Sequence, residues 1–221
     1  MICFPDREAA GRQLAAVLKP RLTRRDALVL ALPRGGVPVA FEVARLLHLP
    51  LDLMLVRKLG VPGHEELAMG AIADGGVEVL NEDIVHSLSI SDHAIAAVAA
   101  RERGELERRS RVYRQGRPAS ELKNRTVILV DDGCATGATM EAAIQAARRR
   151  GAARIIAAAP VASDSAFAMM GRLADEAVCV AVPEPFFGVG RFYTDFGQTQ
   201  DSEVMDLLAQ AAEIKGQSHV S

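Results

Sequence analysis

The chain has no tryptophan, and its aromatic content is only 4%. Its core must therefore be aliphatic, and 49% apolar residues over 221 positions suffice to fill one sizeable domain. Cysteine is scarce: Cys3, Cys134 and Cys179 are odd in number and far apart. That argues against a disulfide framework or a zinc site and predicts a reducing, cytoplasmic setting. Net charge is only −2, which removes the general electrostatic case for nucleic acid or an anionic membrane as a partner. No apolar run reaches membrane-spanning length, and Asp6, Arg7 and Glu8 interrupt the N-terminus before any leader-like stretch. Internal repeats and low-complexity linkers are missing too. The expectation is one soluble domain.

What the chain does have is the stretch Thr126 to Met140, TVILVDDGCATGATM. Val127-Ile128-Leu129-Val130 is an apolar, β-branched run of the kind that forms a buried parallel strand. Asp131 and Asp132 stand where that strand ends. A loop of small residues follows (Gly133, Cys134, Ala135, Thr136, Gly137, Ala138, Thr139), then an Ala-rich helix to about Arg150. A strand, a glycine turn and a helix start present free amides and the positive end of the helix dipole to an anion. The hydroxyls of Thr136 and Thr139 add donors. Carboxylates repel phosphate, so the acid pair needs other partners: sugar hydroxyls, or a divalent cation riding on the ligand. The loop is not a Walker A sequence, since no Gly-Lys-Ser/Thr follows, and paired acids do not belong to the dinucleotide fingerprint. The chemistry fits a ribose that carries a phosphate.

Taken in order, the spacing predicts a helix over 6–19 stopped by Pro20, then a buried strand over 27–32. That strand runs into Pro33-Arg34-Gly35-Gly36 and a helix over 37–47, a second strand–glycine turn–helix unit. A strand over 51–56 ends in Arg57-Lys58. Residues 59–76 are glycine-rich, and 60–67 lack periodicity, which suits a lid or binding loop; 68–73 and 77–80 suit a hairpin, making the segment a β-arm. A long helix over 91–116, capped by Ser91, carries seven arginines against three glutamates between Arg101 and Arg117. That pattern reads as a solvated face laced with ion pairs. Strands follow over 153–159 and 177–182, with a Ser163-capped helix between them. Residues 183–196 gather Phe186, Phe187, Phe192, Tyr193 and Phe196, and a helix over 201–214 precedes a disordered tail from Gly216. Alternation of this kind predicts an α/β fold, a doubly wound and mainly parallel sheet with helices on both faces.

Other chemistries fail on the residues. His64-Glu65-Glu66 is not a zinc protease helix, because Ala68 stands where the second histidine is required. His48, His86, His93 and His219 are scattered, there is no GxSxG elbow, and Cys134 has no histidine partner in sequence. A thiol in that loop is better read as space-filling than as a nucleophile.

Val127 to Thr139, VILVDDGCATGAT, resembles the binding motif for phosphoribosyl pyrophosphate (PRPP) of the type I phosphoribosyltransferases. Arg34-Gly35-Gly36 resembles that family's pyrophosphate loop, which often carries a non-proline cis peptide, here at Pro33-Arg34 or Arg34-Gly35. Arg57 and Lys58 resemble its basic residues that complete the pyrophosphate site, and about 59–75 occupies the place of its flexible catalytic loop. The resemblance implies one domain: a core over about 6–182, a hood and C-terminal helix over 183–214, and a tail over 215–221. It implies transfer of a 5-phosphoribosyl group from PRPP to a nitrogen nucleophile, with release of pyrophosphate and with Mg²⁺ as cofactor. Asp131, Asp132 and Lys58 would be catalytic, with the two acids touching Mg²⁺ only through PRPP and water. Gly133 to Thr139 would hold the 5-phosphate, and Phe187, Phe192 and Tyr193 would form a hood over the acceptor. PRPP and a small acceptor are the implied partners, and a homodimer is compatible with them. A PRPP-responsive regulatory protein with the same fold and no catalysis fits the same residues. No pattern in the hood identifies the base.

Overall fold

The computed structural model describes residues 2–22 and 27–217. Five parallel strands form the central sheet: β1 (Leu28–Ala31), β2 (Leu51–Leu53), β6 (Thr126–Val130), β7 (Arg154–Val161) and β8 (Glu176–Ala181), in the order β2-β1-β6-β7-β8. Alternate residues of each strand feed opposite layers, as the two-residue period requires. Val29, Ala31, Ile128, Val130, Ile156 and Ala158 pack on one side with α1 (Arg7–Leu18), α2 (Gly36–Leu47) and α7 (Asp201–Gln217). Leu28, Leu30, Val127, Leu129, Ile155 and Ala157 pack on the other with α5 (Ala138–Arg149) and α6 (Asp164–Leu173). The core is aliphatic, as the lack of aromatics demands. The doubly wound, mainly parallel fold expected from the sequence is the observed one. Among the described residues no helix is long and apolar enough to cross a membrane.

Helix ends follow their capping residues. Asp6 accepts from the Ala9 amide at 2.6 Å to start α1, and Ser163 accepts from Ala166 at 3.1 Å to start α6. Asn81 caps the short α3 (Glu82–Ser87), and Ser91 caps α4 (Asp92–Arg114), accepting from Ala94 at 3.3 Å.

The stretch after β1 and α2 departs from expectation. β2 stops at Leu53, and the chain enters a separate antiparallel sheet of β3 (Val56–Val61), β4 (His64–Ala73) and β5 (Val77–Leu80). Arg57 and Lys58 therefore lie inside β3 rather than at the end of a central strand. Residues 60–67, expected as an irregular loop, complete the β3–β4 hairpin. Its register shifts around Gly60, and that irregularity hides the two-residue period in the sequence. The segment is a β-arm, packed against α4 and α5.

The arginine-rich helix is only partly a solvated face. Arg108 and Arg109 do pair with Glu105, holding its carboxyl down at about 2. Arg114 instead is buried. It pairs with Asp74 Oδ2 at 2.5 Å and Asp52 Oδ1 at 3.2 Å, and donates to the Leu53 carbonyl at 2.8 Å. Arg150 reaches the same Asp74 at 3.3 Å. Burial pushes the Asp74 pKa up, against the pull of both arginines. This cluster fastens the β-arm to the central sheet. The C-terminal helix runs on to Gln217, past the expected tail boundary, and 218–221 lie outside the described residues.

Candidate active site

The strand order reverses direction between β1 and β6: the chain winds outward from β1 to β2, then from β6 to β7 and β8. Ligands of doubly wound sheets bind at the carboxyl ends of the strands flanking such a switch. Here those ends carry Pro33-Arg34-Gly35-Gly36, after β1, and Asp131 to Thr139, after β6.

The two segments are in close contact. A Cβ built on Gly35 would lie 2.1 Å from Asp132 Oδ2, and one on Gly36 would lie 2.7 Å from the Val130 carbonyl oxygen. Only glycines allow the β1 turn to come this near the acid pair. The Leu32 amide donates to the Val130 carbonyl at 2.8 Å, extending the β1–β6 pairing up to the turn. The Pro33–Arg34 peptide is cis, one of the two positions expected. Arg34 pairs with Asp201 at the start of α7, at 3.6 Å, and is one-third exposed. Asp201 also accepts from the Tyr113 phenol at 2.7 Å, and burial with this bond raises the Tyr113 pKa to about 12.

The loop after β6 is held from below. Cys134 donates its amide to Val161 and accepts from the Ser163 amide, both at 2.9 Å, while the Ser163 hydroxyl donates to the Ala135 carbonyl at 2.6 Å. Gly137 has φ 77°, a left-handed turn that starts α5, and the first helical bond runs from the Glu141 amide to the Gly137 carbonyl at 2.8 Å. Ala135 and Thr136 are exposed, and among the described residues their amides and that of Gly137 have no hydrogen-bond partner. Free amides in a turn at a helix start are the kind of donors that can receive an anion. Cys134 is 3% exposed, and burial followed by Asp131 pushes its thiol pKa well up. A thiol held protonated is no nucleophile, so its packing role stands.

The acid pair is electrostatically strained. Burial, then the neighbouring Asp132, pushes the Asp131 carboxyl well above the usual carboxylate range. Burial raises Asp132 as well, but Arg7 opposes that shift. The Arg7 Nε donates to Asp132 Oδ2 at 2.8 Å in a pair only 12% and 14% exposed. Its Nη1 donates to the Gly197 carbonyl at 2.7 Å, and its guanidinium lies 4.0 Å from the centre of the Phe196 ring. Phe196 stacks on Tyr193 at 5.0 Å, and the Tyr193 phenol donates to the Asp132 carbonyl at 2.6 Å. The circuit Asp132–Arg7–Phe196–Tyr193 thus ties the 183–197 segment to the acids. Sequence reasoning missed Arg7 and Asp201. Each is an ordinary charge in the first turn of a helix, and nothing in the local pattern marks what it reaches.

The remaining candidates are dispersed. Arg57 is engaged by Glu102 of α4, with Nη2 at 2.6 Å and Nε at 2.8 Å. Lys58 is exposed and lines a 330 Å³ cleft with Ala138 and Glu141, beside the first turns of α5. Phe192 and Tyr193 are 3% and 6% exposed, packed with Phe4 and Val161, whereas Phe187 is 80% exposed. Among the described residues no group of three or more His, Cys, Asp or Glu could hold a metal.

The family model for the phosphoribosyl transferase domain matches residues 5–197. The crystal structure of TT1426 from Thermus thermophilus is similar with TM-score 0.85 and 42% identity, over 95% of this chain and 99% of that one. Proteins of Mycobacterium tuberculosis strains H37Rv and CDC 1551, each carrying the provisional name of a phosphoribosyl transferase, are 49% identical over 211 residues. Those alignments cover 96% of this chain but 47% of theirs, so the chain spans about half the length of the curated relatives it matches.

Proposed function

The chain belongs to the phosphoribosyl transferase domain family, and on that premise we propose that it transfers the 5-phosphoribosyl group of PRPP to a nitrogen nucleophile, releasing pyrophosphate. One observation carries the reading: the Arg34-Gly35-Gly36 turn abuts the acid pair and phosphate loop at a single topological switch point. A phosphate cradle, hydroxyl acceptors and a second, arginine-bearing turn match the three parts of PRPP in order.

In this account the free amides of 135–137 and the threonine hydroxyls bind the 5-phosphate, helped by the α5 dipole. Asp131 and Asp132 accept hydrogen bonds from the ribose hydroxyls and place negative potential near an oxocarbenium-like anomeric carbon. Arg34 and the amides of its turn balance charge on the departing pyrophosphate. Lys58 lies nearer the start of α5, which suits a contact to phosphate oxygens. The acid pair fits a Mg²⁺ that PRPP oxygens and water carry in, touching Asp131 or Asp132 only indirectly. Such an ion supplies neutralisation of the pyrophosphate charge. The small-molecule acceptor is a nucleobase or related heterocycle.

Pyrophosphate release tests the reading. Mg²⁺ and PRPP with a panel of nitrogen acceptors should give acceptor-dependent release. Tight PRPP binding without turnover across the panel would replace the transferase with a PRPP-responsive regulator.

A further inference from the structure

We propose that Asp201 and Tyr113 are positioning residues for Arg34: the Tyr113 phenol fixes the Asp201 carboxylate, and that carboxylate holds the Arg34 guanidinium in place for the pyrophosphate of PRPP. This rests on the phosphoribosyl-transfer reading above. The turn itself fixes only the backbone of Arg34. The Gly36 amide donates to the Leu32 carbonyl at 3.1 Å and the Val37 amide to the Arg34 carbonyl at 3.0 Å. The side chain needs a restraint of its own, because it is long, one-third exposed, and donates no hydrogen bond among the described residues. Its Nη1 lies 3.6 Å from Asp201 Oδ1. At that distance the pair is a charge contact rather than a hydrogen bond, so the N–H fork stays available to phosphate oxygens.

The restraint is anchored in turn. Asp201 opens α7, and the Tyr113 phenol of α4 donates to that same Oδ1 at 2.7 Å. Tyr113 is buried, so core packing locks its ring. Its pKa, raised to about 12, keeps the phenol a donor throughout the neutral range. Arg108 and Arg109 of the same helix are committed to Glu105, which leaves Arg34 as the cation that Asp201 pairs with. Two ordinary needs explain parts of this arrangement. A first-turn acid complements the α7 dipole, and a buried phenol requires an acceptor. Neither need brings the turn after β1 to the same carboxylate oxygen. The triad joins three elements, with Tyr113 in the core, Asp201 at the rim and Arg34 in the site. A guanidinium held this way has already given up rotamer freedom that a loose one would lose on binding its ligand.

Calorimetric titration of PRPP with Mg²⁺ would compare the wild type with Tyr113→Phe and Asp201→Asn, each alone and combined with Arg34→Gln. Both single changes are nearly isosteric. Phenylalanine keeps the Asp201 charge and removes only the bond that orients it, whereas asparagine keeps an acceptor for the phenol and removes the charge. Loss of restraint on one long side chain predicts binding about 2- to 10-fold weaker in each. With Arg34→Gln already in place, neither change should weaken binding further. Glu203→Gln removes another first-turn acid of α7 and should leave the affinity unchanged. Wild-type or tighter binding in either variant would overturn the inference, tighter binding being the mark of a carboxylate that merely competes for Arg34. So would equal losses with and without Arg34, which indicate a packing role for Tyr113 and Asp201. An Arg34→Gln chain that binds PRPP as the wild type does would overturn it too, and would leave the assignment of the acid pair standing. Failure of the wild-type chain to bind PRPP would remove the transfer reading itself.

Discussion

Replacing Gly35 with alanine adds a single methyl group at the tightest point of the site. Gly35 has φ −58° and ψ −34°, so alanine meets no backbone strain there. The cost is steric: the new Cβ would lie 2.1 Å from Asp132 Oδ2 and 2.7 Å from its Cγ, where ordinary contact begins at 3.4 Å. Asp132 cannot swing away freely, since Arg7 holds its carboxylate at 2.8 Å and Tyr193 holds its carbonyl at 2.6 Å. Either that clamp breaks or the Arg34 turn moves out by about 1 Å. Overpacking of this kind costs about 1–3 kcal/mol, or roughly 2–12 °C in Tm for a chain of this length. Displacement by about 1 Å at a reacting site lowers turnover by about 10²-fold. Gly104→Ala is the matched control. Gly104 is exposed within α4 with nothing within 4 Å of its virtual Cβ, and alanine there should gain about 0.5–1 kcal/mol. Thermal melts and PRPP-dependent pyrophosphate release read both variants. Wild-type Tm and turnover in Gly35→Ala would refute the claim that the two loops form one rigid site.

Arg7→Ala leaves the mostly buried Asp132 carboxylate without its cation and should cost about 3 kcal/mol in urea unfolding, with Arg7→Lys recovering only part because the lysine cannot reproduce the fork; equal midpoints for all three proteins would show the pair to be inert. The pKa of Asp131 is raised in the fold, so its contribution to stability is in place below the unfolded value near 4 and is lost as pH rises through the folded value. Asp131→Asn should therefore melt above wild type near pH 8, with the gap narrowing toward about pH 4, and a gap that widens on acidification contradicts the assignment. Phe192→Ala should destabilise by about 3–5 kcal/mol, whereas Phe187→Ala should stay within about 0.5 kcal/mol, since the rings are 3% and 80% exposed; comparable losses in denaturant titrations would contradict that division of the aromatic segment.

Three strands of the central sheet, β1, β6 and β7, were legible because each is a largely apolar run followed by a glycine turn or a capped helix. Val127–Val130 and Ser163 are the clearest cases, and both occupy the expected elements. Register irregularity hid the β3–β4 hairpin, where Gly60 interrupts the alternation. Arg57 shows why charge at a strand end is a weak signal. Its partner Glu102 lies 45 residues away in sequence, on a helix whose surface pattern looks solvated. Arg7 is harder still, 125 residues from Asp132, and only the folded chain brings the two together. Local chemistry in the sequence reports which groups an element carries, and long-range packing decides which of them are already spent.

The most direct test is calorimetric titration of PRPP, with Mg²⁺, into the wild-type chain and into the Asp131→Asn/Asp132→Asn double variant. Saturable one-to-one binding to the wild type is expected, weakened at least tenfold in a variant that still melts cooperatively. Each lost hydroxyl–carboxylate bond is worth about 1.5–3 kcal/mol. No PRPP binding to the wild type, or undiminished binding to the double variant, would contradict the assignment of Asp131 and Asp132 to the ribose.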